Sequence, residues 1–215
     1  MALIFSSVSS VIPDSQLLRQ SLRARRRSVP DTERQAAAQA VAGRVANGPL
    51  WDAARRIAAY WACDGELDPM PLLERAWAAD KQVYLPVLVG SPPSLLQFAP
   101  FQADRPLRRN RFNIPEPDAP PAEWLPPAAL DMVATPLVAF DATGTRLGMG
   151  GGFYDRSFAF LRDLHYQGCR PCLLGLGYEF QRQAELSRQP WDVPLEAAVT
   201  ETALYRFAER GEGGR

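Results

Sequence analysis

The sequence predicts an α/β protein, a three-layer α/β/α sandwich around a mostly parallel, mixed sheet of Rossmann-like layout, formed as one domain. Three observations carry that expectation. Six strand-like apolar runs recur along the chain, at 56–63, 82–89, 95–101, 131–140, 171–178 and 197–200. Helical patterns separate several of them, an alternation that lays helices on the faces of a parallel sheet. With 47% hydrophobic residues over 215 positions, the chain can also bury one large core.

Taken in order, residues 1–13 are expected to be a flexible N-terminus, 14–206 the folded domain and 207–215 a flexible tail. Leu17, Leu18 and Leu22 follow a capping Asp14 or Ser15, so 14–28 reads as an amphipathic helix that ends before Pro30, its other face rich in arginine. Asp31 is expected to cap a second, alanine-rich helix that stops at Asn47-Gly48-Pro49. Residues 69–80 and 154–166 carry further helical patterns. The pair 82–89 and 95–101 reads as an antiparallel excursion closed by Gly90 to Pro93. Six prolines between Pro115 and Pro127 make that stretch too stiff and too poor in donors for sheet or helix, and it reads as a surface crossing.

Charge and cysteine content exclude several functions. Lys plus Arg and Asp plus Glu each total 24, so no global field draws the chain onto nucleic acid or anionic lipid. Lys81 is the sole lysine, and the basic residues are otherwise arginines, whose planar fork suits phosphate and carboxylate. No window approaches the roughly 20 apolar residues of a spanning helix. Three cysteines form no disulfide framework and fit a reducing, cytoplasmic setting. Cys169 and Cys172 make one CxxC without a second half, which reads as the lead into a buried strand. His165, the only histidine, is read as structural, on the helix after the loop described next.

The chemistry concentrates at Arg146 to Asp155, RLGMGGGFYD, between a buried strand and a helix. Four glycines at 148, 150, 151 and 152 free the backbone to turn successive N–H groups inward, toward the positive end of the following helix. The expected product is an anion cradle. It is not a Walker A loop, because no lysine lies near it, and it is not a dinucleotide fingerprint, because Phe153 takes the place of the last glycine. What remains is Arg146 as a cation for phosphate oxygens and Asp155 as a carboxylate suited to Mg²⁺. A tight glycine turn with an exposed Asp cap is the competing reading.

This decapeptide resembles the signature of the 5-formyltetrahydrofolate cyclo-ligases, or methenyltetrahydrofolate synthetases, R-L-G-x-G-x-G-Y-Y-D, with only Phe153 departing. Further resemblances lie, in consistent order from about 15 to 201, at Arg19 with Leu22 and Arg23, at Asp64 to Asp68 around Glu66, at Asn113 to Pro117, at Gly175 to Gln181 and at Trp191 to Glu201. The resemblance implies ATP- and Mg²⁺-dependent closure of 5-formyltetrahydrofolate to 5,10-methenyltetrahydrofolate, with ADP and phosphate released, by a cytoplasmic, monomeric enzyme.

It also implies roles for individual residues. Arg19, Arg23, Arg146, Leu147, Gly148, Met149, Gly150, Gly151, Gly152, Phe153 and Tyr154 would contact ATP, and Asp155 with Asp192 would place Mg²⁺. Trp61 and Glu66 would hold the pterin, with Phe112 and Phe153 as further walls. Arg25 to Arg27 are expected to be a solvated helix face. Alternatives remain: a phosphosugar isomerase or acyl-CoA transferase of similar layout, a relative acting on another formamide or a thiamine-related pyrimidine, or a non-catalytic nucleotide- or RNA-binding relative.

Overall fold

Leu18, Leu22 and Arg26 recur every four residues, so one stripe of the first helix, α1 (Ser15–Arg27), faces inward. Asp14 caps it by accepting from the Gln16 amide at 2.7 Å. Leu17 falls off the stripe and is exposed. The computed structural model describes residues 14–163 and 165–207, so the expectations for residues 1–13 and 208–215 lie outside the described residues.

After α1 come α2 (Asp31–Ala46), α3 (Pro49–Ala53), β1 (Arg56–Ala58), α4 (Met70–Ala78), β2 (Gln82–Gly90), β3 (Pro93–Pro100), β4 (Leu107–Arg109) and β5 (Pro115–Pro117). They are followed by β6 (Met132–Pro136), β7 (Ala139–Phe140), β8 (Arg146–Leu147), α5 (Phe153–Ser157), β9 (Cys172–Leu176), β10 (Ala197–Val199) and β11 (Leu204–Arg206). Seven strands form the main sheet in the order β11-β10-β9-β6-β1-β2-β3. From β10 to β2 the pairs are parallel, and the antiparallel strands β11 and β3 close the two edges. This is the mixed sheet expected, including the hairpin through Gly90.

Alternation along each strand assigns the two faces. Ile57, Val83, Met132 and Leu174 point to the side covered by α2, α3 and α4. Their neighbours Ala58, Tyr84, Val133 and Leu173 point to the other side, under Phe140 and Phe158. Burying each of the larger aliphatic side chains among these, Ile57, Val83, Met132, Val133, Leu173 and Leu174, contributes on the order of 2 kcal/mol.

Four expectations are corrected. Pro30, not Asp31, occupies the N-cap of α2, because its ring fixes the extended conformation there, and Asp31 instead pairs with Arg34 at 3.3 Å. The helix expected at 154–166 stops at Ser157: Phe158 leaves helical geometry with its ring fully buried, 6.0 Å from that of Phe98. His165 therefore lies in an exposed turn rather than on that helix. Finally, Pro115–Pro117 does pair with β4, since a two-stranded ribbon asks little of proline, and between the prolines the buried Glu116 accepts from the Leu88 amide at 3.0 Å.

Candidate active site

Strand β1 leads to β2 on one side of itself and later to β6 on the other, so the chain reverses direction across the sheet between β1 and β6. In such sheets the crevice beyond the carboxyl ends of those strands is where ligands bind. The loops that leave β1 and β6 here carry Tyr60 to Glu66 and Leu137 to Gly152 respectively, and α1 lies against both.

Beyond β1 opens a cavity of about 540 Å³ whose lining includes Trp61, Glu66, Tyr60, Asp68 and, from α2, Arg34 and Gln35. Trp61 and Glu66, expected from sequence, thus share one cavity. Phe112 and Phe153 do not line it. They pack edge to face on each other with centroids 5.9 Å apart, and Phe112 is half exposed. Glu66 is buried: its Oε2 accepts from the Cys63 amide at 3.1 Å, and its Oε1 lies 3.7 Å from Nη1 of Arg26. Burial pushes the Glu66 carboxyl above the usual range, against the pull of Arg26 and the bonds from Cys63. Burial and the neighbouring Glu66 together push the Cys63 thiol up to about 12, so it stays protonated.

Three arginines of α1 converge on Asp64, at the rim of the cavity. Nε of Arg23 lies 2.7 Å from Oδ2, Nη2 of Arg26 3.0 Å from Oδ2, and Nη1 of Arg27 2.9 Å from Oδ1. Burial works against the Asp64 carboxylate, but hydrogen bonds from Arg23 and Arg27, aided by the charges of Arg23 and Arg26, hold it at about 2. The expectation that Arg25 to Arg27 form a solvated face is therefore corrected for Arg26, which is 1% exposed. A signal for it was present: Arg19, Arg23 and Arg26 stand at i, i+4 and i+7, on one helix face.

The glycine loop meets the same face of α1, nearer its N-terminal end. Nε of Arg19 donates to the Gly148 carbonyl at 2.9 Å, which ties the helix to the cradle. Gly150 has φ of +95° and Gly152 φ of +64° at the N-cap of α5, conformations that L side chains rarely adopt. A Cβ at 148 or 150 would meet nothing within 4 Å, so both positions border open space. Met149 is exposed beside them. Tyr154 turns inward instead: its ring stacks on Phe158, and its buried hydroxyl has no hydrogen-bond partner among the described residues. Burial and the charge of Glu66 push that phenol well up.

Arg146 and Asp155, the ends of the decapeptide, meet: Nη2 lies 2.7 Å from Oδ1. Nη1 of Arg146 donates to the Val193 carbonyl, and the Val193 amide donates to the same Oδ1 at 3.1 Å. This closed set brings residue 192 beside Asp155. The Asp192 carboxylate itself accepts from the Gln189 amide at 2.8 Å. Among the described residues no group of three or more His, Cys, Asp or Glu side chains could hold a metal by itself. Cys169 and Cys172 are free, the first exposed and the second buried in β9.

A doubly covered α/β sheet, with a glycine loop and a carboxylate-bearing cavity at its reversal point, is the layout of α/β enzymes that take ligands beyond the carboxyl ends of their strands. Residues 11–201 match the model of the 5-formyltetrahydrofolate cyclo-ligase family. The chain is 38% identical to the 5-formyltetrahydrofolate cyclo-ligase of Escherichia coli K12, over 86% of this chain and 100% of that one. It is 37% identical to the cyclo-ligase of Haemophilus influenzae, over 84% and 94%. Its fold is similar to that of the 5,10-methenyltetrahydrofolate synthetase of Aquifex aeolicus, with a TM-score of 0.76 and 27% identity over 94% of this chain and 96% of that one. The chain belongs to the 5-formyltetrahydrofolate cyclo-ligase family. No helix among the described residues is long and apolar enough to cross a membrane.

Proposed function

We propose that the protein uses ATP and Mg²⁺ to convert 5-formyltetrahydrofolate into 5,10-methenyltetrahydrofolate, releasing ADP and phosphate. The observation that carries this reading is the adjacency of the two compartments: Arg26 lies within 3.7 Å of Glu66 in the cavity and 4.0 Å of the Met149 sulfur in the glycine loop. A reaction that joins a flat, hydrogen-bonding heterocycle to a triphosphate needs both sites on one crevice.

In the cavity, the Glu66 carboxylate would accept from the N–H edge of the pterin, with Trp61 as an apolar wall. The formyl oxygen then attacks the γ-phosphorus in line, ADP leaves, and N10 closes on the activated carbon, the C–O bond breaking to release phosphate and N10 giving up its proton. A formamide is a poor electrophile, and phosphorylation of its oxygen makes that oxygen a leaving group. The protein's part in the first step is positioning and charge neutralisation by the backbone N–H groups of 148–152 and by Arg19. Arg23 would reach a phosphate only by sharing its fork with Asp64. Arg146 spends its fork on Asp155 and the Val193 carbonyl, so the role assigned to it is to hold that carboxylate.

The residues present fit a magnesium ion. Asp155 uses Oδ1 for Arg146 and Val193 and makes no hydrogen bond through Oδ2 among the described residues, and Asp192 immediately precedes the Val193 amide that Asp155 binds. Two carboxylates completed by phosphate oxygens and water match the habit of Mg²⁺, and a bound ion would neutralise charge on the phosphates.

The test is to mix purified protein with 5-formyltetrahydrofolate, ATP and Mg²⁺ and follow the near-ultraviolet absorbance of the methenyl product, with each component omitted in turn. Product that requires all three is the expected outcome. Folded protein that binds ATP yet forms no product would reject the substrate and favour a different formamide.

A further inference from the structure

Among the described residues Arg26 is the largest fully buried side chain, and nothing in the reaction itself calls for it. Its guanidinium reaches three segments. Nε donates to the Asp64 carbonyl at 3.0 Å, Nη2 to Oδ2 of Asp64 at 3.0 Å, and Nη1 to the Leu137 carbonyl, beyond β6, at 3.2 Å. The same Nη1 faces Oε1 of Glu66 at 3.7 Å, while Nη2 lies 4.0 Å from the Met149 sulfur. A side chain of this size and charge is retained inside a protein only where its fork is occupied.

The surrounding backbone is built around it. Asp64 and Gly65 have positive φ, and a Cβ at Gly65 would come within 2.8 Å of the Arg26 carbonyl. The 64–66 turn therefore lies flat against the end of α1. Farther up the same helix, Arg19 holds the Gly148 carbonyl. One rigid element thus touches the cavity turn at its C-terminal end and the glycine loop near its N-terminal end.

We propose that Arg26 is a positioning residue for the reaction, fixing the Glu66 carboxylate toward the cavity and, through α1, setting the 64–66 turn in register with the glycine loop. The role rests on the assignment of Glu66 to the folate compartment. Arg26 touches no substrate itself. It acts because Glu66 is buried and Arg26 is the cation within 4 Å of it among the described residues: Cys63 and Asp64 on its own loop, Tyr60 beyond β1 and Tyr154 on α5 are acids, and Arg34 of α2 and Asp68 line the same cavity without an ion pair to it. Asp64 disfavours an ionised Glu66 through charge, whereas the Cys63 thiol and the two phenols stay protonated and carry none, and the Cys63 amide and thiol bonds favour it. Arg26 supplies the cation.

The test compares Arg26→Met and Arg26→Lys with the wild type. In protein carrying ¹³C-labelled glutamate, the Glu66 carboxyl is titrated by NMR, which needs no turnover. It is expected to titrate at higher pH in Arg26→Met and close to the wild-type position in Arg26→Lys, which keeps the charge. Steady-state rates across pH are expected to show KM for 5-formyltetrahydrofolate raised about tenfold or more in Arg26→Met, as for other residues that orient a ligand-binding group, with KM for ATP changed less. The acid limb of kcat/KM for the folate should move to higher pH in step with the NMR titration, and Arg26→Lys should restore its position but only part of the KM. If Arg26→Met does not fold, Arg26→Lys decides: a folate KM equal to wild type overturns the proposal. An unmoved Glu66 titration or an unmoved acid limb in folded Arg26→Met also overturns it. Wild-type protein that neither binds nor converts the folate overturns the assignment of Glu66 instead, a result distinguishable because it appears before any variant is made.

Discussion

Nη2 of Arg146 lies 2.7 Å from Oδ1 of Asp155, and both groups are further bound to the backbone of Val193. The two polar ends of the decapeptide are therefore partners, and the decapeptide is closed onto the segment that carries Asp192. The Arg146 side chain is buried while Asp155 keeps one edge toward solvent.

Asp155→Asn keeps an oxygen for Arg146 and Val193 but removes the charge. Its melting temperature should stay close to wild type while Mg²⁺-dependent turnover is lost. Arg146→Ala leaves a carboxylate without its buried partner and should destabilise the fold by roughly 3 kcal/mol, measured by urea denaturation. Wild-type rates in Asp155→Asn with unchanged Mg²⁺ dependence would remove Asp155 from the metal site.

Asp64 titrates at about 2, below the ordinary value of 3.8. A depressed folded-state value means stability that is present above the unfolded value and is lost as pH falls from about 4 through 2. The shift corresponds to about 2 kcal/mol, and Asp64→Asn should lose about that much at neutral pH. The acid limb of its stability curve, followed by circular dichroism, should be flatter than that of the wild type.

Glu66 carries the opposite sign. Burial raises its folded-state value, so folding favours the protonated form, and that contribution disappears as pH rises through the raised value. Glu66→Gln should be no less stable than wild type above that point, and its melting temperature should depend less on pH. Binding of 5-formyltetrahydrofolate, measured by calorimetry, should be lost. A variant that binds the folate normally would place the pterin elsewhere.

Gly150 borders open space but holds a φ of +95°. Gly150→Ala should cost about 1–2 kcal/mol through backbone strain alone. Its new methyl group would project into the cradle, so KM for ATP should rise more than KM for the folate. Equal changes in both would argue that the loop does not hold the nucleotide.

The alternation of apolar runs with helical patterns was enough to reach the sheet, its mixed character and the hairpin at Gly90, because period-two and period-3.6 burial are local properties of the chain. The glycine loop was legible for the same reason: its backbone needs are met by residues next to one another. Expectation failed where burial by distant partners overrode local pattern. Phe158 ended a helix early to bury its ring, Glu116 drew a proline-rich segment into a ribbon, and Arg26 became a core residue because Asp64, Glu66 and the Leu137 carbonyl, far away in sequence, surround it. By itself, the sequence determined the fold class, the family and the residue types available for chemistry. Only the tertiary structure decided which arginine faces which carboxylate, since a guanidinium on a regular helix face can point to water or inward, and the choice depends on acceptors that folding alone brings within reach.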